Sequence, residues 1–161
     1  VHMPVRWHFI GHLQSNKARY AVRMFDLIHT LDSVKLALEI NKQAGKIGKH
    51  QQVLVQVNIS GETGKSGIDA KSAVALVEQI SHLEHLSIQG LMTMPPFFDD
   101  PDRARPYFAA LRHLRDRIAD LRLVHVAMAE LSMGMTGDFE AAIEEGATLV
   151  RIGTALFGAR S

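Results

Sequence analysis

Short apolar runs alternate with longer helical patterns along the whole chain, and Gln52–Ile59 shows the strand period most cleanly. Val53, Val55, Val57 and Ile59 fall on one face, and Leu54, Gln56, Asn58 and Ser60 on the other, the two-residue period of a β-strand. The same reading gives strands at Trp7–Gly11, Leu27–Leu31, Leu86–Met94, Glu130–Met135 and Leu149–Phe157. Between them lie helical patterns at Gln14–Phe25, Ser33–Ala44, Ala70–Leu83, Asp102–Leu121 and Phe139–Glu145. Asp32-Ser33 and Asp69 are placed to cap the second and third helices. Lys46 and Lys49 suit the negative end of the second. Pro95-Pro96 stops the strand before it. Strand followed by helix, repeated, predicts a parallel sheet with helical crossovers.

An open doubly wound sheet and a closed barrel both fit that order, and the strand faces favour the barrel. Gln52–Ile59 has one apolar face for helices and one mixed face carrying Gln56 and Asn58. Leu149, Arg151 and Gly153 share a face, and a charged Arg on the inner face of a strand needs a partner. The expected fold is therefore a (β/α)8 TIM-type barrel. Such a barrel takes roughly 250 residues, whereas the chain has 161 and about six βα units. The expectation is a single domain over residues 1–161 that lacks the first two strands of the barrel. Opening a barrel leaves two unpaired strand edges, so the expectation is either self-association through those edges or a chain cut after folding.

Composition narrows the function classes. Lys plus Arg number 18 against 17 Asp plus Glu, which supplies no basic field for nucleic acid or a membrane surface. No apolar run reaches the ~18 residues of a membrane span. With Cys 0, thiol chemistry and thiolate metal sites are excluded. A cysteine-free chain fits a reducing compartment, and a cytoplasmic location is expected.

Two segments carry the chemistry, Leu131 to Asp138 and Val150 to Gly158. They follow the last two strands, where barrel enzymes often bind phosphate. Gly153 lets an anion approach the backbone, and consecutive N–H groups with the Thr154 hydroxyl can donate to it. Ser132 can donate from the neighbouring segment. The plain alternative is that these glycines only make turns. Arg151, one pleat deeper than Gly153, weighs against that, because it can face the ring of a cofactor whose phosphate lies at Gly153.

Other residues have a functional and a plain reading side by side. Lys65, in the loop Gly61–Gly67, can attract phosphate or sit solvated. Asn58 can line the cavity mouth or pack the barrel. His12 stands near the expected rim, while His8 and His12 have a metal-like spacing that works on a helix and not on a strand and turn. The loop GETGKSG lacks the residue order of a P-loop, so nucleotide hydrolysis is rejected. The Arg and Asp residues of Asp102–Leu121 read as a solvated helix face.

Five segments together carry a resemblance: Trp7 to Lys17 (WHFIGHLQSNK), Val57-Asn58-Ile59-Ser60 with Lys65-Ser66-Gly67-Ile68, Gly90 to Pro96 (GLMTMPP), Leu131 to Asp138, and Arg151 to Gly158. In this order the chain resembles the pyridoxal-phosphate homeostasis proteins of the YggS/PROSC type. The resemblance implies the barrel of the alanine racemase N-terminal domain and the cofactor pyridoxal 5′-phosphate. It implies buffering or delivery of that cofactor, with PLP-dependent apoenzymes as recipients and no established catalytic turnover. A PLP-dependent amino-acid racemase-like enzyme is the alternative. By similarity Ser132, Gly153 and Thr154 hold the phosphate and Arg151 faces the pyridine nitrogen, while Asn58, His12 and Lys65 are further candidates for cofactor contact. An Arg there disfavours protonation of the ring nitrogen by like-charge repulsion, which makes the ring a poor electron sink. No residue is assigned a catalytic role or a metal. The Schiff-base lysine of the family falls at the end of the second barrel strand, upstream of Val1, and Lys17, Lys35 and Lys65 do not match its motif.

Overall fold

The structure is a computed structural model, and it describes residues 3–161. Seven parallel strands form one sheet: β1 (His8–Phe9), β2 (Leu27–Leu31), β3 (Gln51–Asn58), β4 (Ile68–Asp69), β5 (Leu86–Met92), β6 (Val126–Met135) and β7 (Leu149–Arg151). Their order is β1-β2-β3-β5-β6-β7, with the two-residue β4 paired to the end of β3. Among the described residues five helices lie between strands, α1 (Ala18–Met24), α2 (Val34–Lys46), α3 (Ala70–Ile80), α4 (Arg105–Asp120) and α5 (Phe139–Glu144), and a sixth, α6 (Thr154–Phe157), follows β7. This is the strand order of a βα barrel, with six consecutive units and β1 and β7 at the two edges.

Two apolar clusters separate the faces of the sheet. Ile28, Leu31, Val53, Val55, Ile88 and Leu91 join the large cluster with Ile40, Val77, Phe108 and Ile118 from the helices. Leu27, Leu54 and Met92, with Leu149 against them, form a second and smaller one. These residues come from four different strands and alternate with the helix-facing ones. They are the packed interior of a barrel, as the alternation in Gln52–Ile59 predicted.

Local chemistry sets the boundaries. The Ser33 hydroxyl accepts from the Leu36 N–H at 3.2 Å and starts α2. Asp69 Oδ1 accepts from the Lys71 N–H at 3.0 Å and starts α3. Lys49 does not close α2 as its position suggested. Its ammonium donates to the carbonyls of Val22 (2.6 Å) and Phe25 (2.7 Å) at the end of α1, satisfying groups that a helix end leaves open. The first predicted helix opens as a 3-10 turn at Ser15–Lys17, and the fourth as one at Pro101–Ala104. The strand β6 starts four residues earlier than the pattern showed, because His125 and Met128 take positive φ and break the alternation there.

The largest departure lies at the end of the chain. The predicted strand Leu149–Phe157 is a strand only to Arg151. Arg151 pairs with Met135, the last residue of β6, so no ladder partner remains beyond it. Gly153 turns the backbone and Thr154–Phe157 forms the short helix α6.

Candidate functional site

A cavity of about 800 Å³ opens at the carboxyl ends of the strands, where barrel folds place their sites. Its lining includes His8 from β1, His29 from β2, Pro95 to Phe98 after β5, Gly134 to Asp138 around the end of β6, and Leu149 to Thr154. That volume suits a small-molecule ligand.

Arg151 sits at its base, projecting from β7. One terminal nitrogen donates to the Ser132 hydroxyl at 2.6 Å, and the other to the Thr93 carbonyl at 2.9 Å. Thr93 is itself held, its hydroxyl donating to the Val57 carbonyl at 2.8 Å. Burial pushes the guanidinium down to about 10, partly offset by Asp138, so it stays charged at neutral pH. Its Nε is buried without a protein partner. A buried charge with an unused donor is costly unless a ligand completes it.

The Ser132 hydroxyl also meets His29 Nδ1 at 2.9 Å, and His29 Nε2 meets His8 Nδ1 at 3.0 Å. His29 and Ser132 are both buried. Burial, then His8 and Arg151, holds His29 down at about 3, so its ring is neutral at any ordinary pH. Burial and then Arg6 also lower His8.

The wall above Arg151 holds Gly153 and the start of α6. The N–H groups of Leu156 and Phe157 turn back to the Gly153 carbonyl at 3.0 and 2.9 Å. The Ala155 N–H donates to the Thr136 hydroxyl at 3.3 Å. The Thr154 N–H opens the helix and has no intrahelical acceptor. A Cβ built on Gly153 meets nothing within 4 Å, so a side chain there would stand in open cavity space. The residues present thus fit a phosphorylated ring: an exposed helix start with Gly153, Thr154 and Thr136 for the phosphate, and a buried cationic donor beneath. Among the described residues no group of three or more His, Asp or Glu stands where it could hold a metal ion, and no helix is long and apolar enough to cross a membrane.

The sequence-derived candidates are distributed unevenly. Arg151, Gly153 and Thr154 line this cavity together. Ser132 lies behind its surface, fully buried, with its hydroxyl engaged by Arg151 and His29. Asn58 holds the following loop, donating to the Glu62 carbonyl at 2.9 Å. Lys65 pairs with Glu62 at 2.8 Å in the same loop. His12 lines a separate groove with Lys17 and Tyr20. Met92 and Met133 are buried, while Met135 lines the cavity. Three participants escaped the sequence reading: His29, Thr136 and the Pro95–Phe98 wall. A histidine inside the mainly apolar strand Leu27–Leu31 was the available signal for the first, since a buried imidazole needs partners.

The model of the alanine racemase N-terminal domain family matches residues 3–161. A pyridoxal phosphate homeostasis protein of Aquifex aeolicus is 49% identical over 158 residues, covering 98% of this chain and 68% of that protein. The crystal structure of an unknown protein from Bifidobacterium adolescentis superposes with a TM-score of 0.89 at 42% identity, covering 94% of this chain and 60% of that one. PipY of Synechococcus elongatus, in a structure with PLP bound, superposes with a TM-score of 0.85 at 36% identity, over 96% of this chain and 71% of PipY. The chain therefore spans about two thirds of the length of such relatives.

Proposed function

Because the chain belongs to the alanine racemase N-terminal domain family, we propose that its cavity binds pyridoxal 5′-phosphate and that the protein serves PLP homeostasis. The observation that carries this is the pairing of Arg151, buried with an unused Nε, with the exposed helix start at Gly153 and Thr154. The names of the relatives, and PLP in the PipY structure, support the same ligand.

Each residue has a defined task in this reading. The Thr154 N–H, left without an intrahelical acceptor, and the Thr154 hydroxyl bind the phosphate. Gly153 keeps the approach free of side-chain atoms. Arg151 donates to the pyridine nitrogen and, being charged, keeps a proton off it. Bound in this way, the cofactor would supply only weak electron-sink chemistry. Ser132 and Thr93 hold Arg151 in place. The Pro95–Phe98 segment forms one wall of the cavity. Such a site suits a protein that stores and delivers its ligand without turnover. PLP-dependent apoenzymes would be the recipients, and the cysteine-free composition suits the cytoplasm. The edges of β1 and β7 are the surfaces for any self-association.

Equilibrium dialysis tests the reading with two probes, pyridoxal 5′-phosphate and pyridoxal. The expected result is retention of the first and at least tenfold weaker retention of the second, with Arg151→Met weakening both. Equal binding of the two would overturn the role given to α6.

A further inference from the structure

Four side chains run from the base of the cavity to its wall in one line of hydrogen bonds: Arg151, Ser132, His29 and His8, at 2.6, 2.9 and 3.0 Å. The line has a forced direction. Arg151 can only donate, so the Ser132 oxygen accepts from it. Ser132 is fully buried, and the acceptor in reach of its own proton is His29 Nδ1. An unspent hydroxyl proton at such a site carries a penalty, so Ser132 donates to His29. A neutral imidazole that accepts at Nδ1 has its proton on Nε2. That proton faces His8 Nδ1 at 3.0 Å, so His8 accepts there and carries its own proton on Nε2. His8 borders the cavity and is only half-buried.

We infer that Arg151 sets a one-way relay through Ser132 and His29 that makes His8 a hydrogen-bond donor to the ligand, selecting a ring that presents an acceptor oxygen or nitrogen at the β1 wall. The ligand-facing half rests on the pyridoxal phosphate reading, and the bond direction does not. The relay gives His8 a task other than the metal ligation its spacing with His12 suggested, and gives His29 the task of transmitting orientation. Proton uptake at His8 Nδ1 would place two N–H groups face to face, so the line could accept it only by reversing and stranding the Ser132 proton. The low proton affinities of both rings agree with this. The charged groups around His8 are Arg6, Asp26 before β2, and Glu130 on β6, and Arg151 is the one that faces His29.

Nitrogen-15 labelling of the histidines, with long-range nitrogen–proton correlation spectra of the ligand-free chain, reads both tautomers directly. Protons on Nε2 of both rings are expected, with Ser132→Ala changing the His29 pattern. A proton on His29 Nδ1, or a His29 pattern that ignores Ser132→Ala, overturns the relay. In dialysis, His8→Phe is expected to weaken pyridoxal phosphate binding about fivefold, the worth of one hydrogen bond, while binding of inorganic phosphate stays unchanged. Unchanged pyridoxal phosphate binding removes His8 from the site. If the unaltered chain binds no pyridoxal phosphate, the proposed function fails and His8's ligand contact fails with it, and the tautomers still decide the relay.

Discussion

Acidification should weaken the fold most strongly through His29. Its folded-state pKa is about 3, against about 6.5 for an unperturbed histidine. Between these values the unfolded chain holds a proton that the folded chain refuses, so stability rises with pH across that window and is level above it. At 1.36 kcal/mol per unit, moving from pH 7 to pH 5 costs about 2 kcal/mol, and moving to pH 4 about 3 kcal/mol. The physical source is burial of the ring between His8 and Ser132, where a second ring proton would face a donor. Urea unfolding at pH 7, 5 and 4 measures the slope. Other groups titrate in the same range, so the comparison is with His29→Gln, which cannot take up a proton there. The variant should lose about 2 kcal/mol less than the unaltered chain between pH 7 and pH 5. Equal slopes would show that His29 is protonated in the folded protein, and the reasoning about the buried relay would be wrong.

Three further substitutions probe separate parts of the structure. Gly90→Ala places a methyl group 2.6 Å from the Glu130 carbonyl carbon, backbone against backbone in paired strands, so a loss of about 3 kcal/mol or more, or failure to fold, is expected in urea unfolding. Gly153→Ala meets nothing within 4 Å; stability should stay within about 0.5 kcal/mol while dialysis shows at least tenfold weaker pyridoxal phosphate binding. Lys49→Met removes the donor to the Val22 carbonyl and one of two donors to the Phe25 carbonyl, which Gln51 Nε2 also reaches at 3.2 Å, and a loss of about 1–2 kcal/mol is expected by thermal or urea melting.

The sequence displayed the barrel because each strand had to satisfy two environments at once. Val53, Val55 and Val57 meet helices, while Leu54 and Gln56 face inward, and that demand is written residue by residue. The end of β7 was hidden for the opposite reason. Leu149 to Phe157 is apolar enough to be a strand, but where it stops depends on Met135, a residue from a different segment. Lys49 shows the same limit, since its acceptors lie more than twenty residues away on α1. In the site, Arg151, Gly153 and Thr154 were legible because they are neighbours in the chain. The relay was not, because His8, His29, Ser132 and Arg151 come from four strands, and only pairing order brings them into line. Ser132 was found by its segment and assigned to phosphate contact, whereas the fold sets its hydroxyl one layer down, between Arg151 and His29.

A crystal structure of the chain with pyridoxal 5′-phosphate shows directly where the ligand sits. The phosphate is expected against the Gly153 and Thr154 backbone at the start of α6, with the ring nitrogen facing Arg151. A phosphate seated instead at Lys65 in the loop after β3, with the cavity above Arg151 holding only water, would contradict that placement.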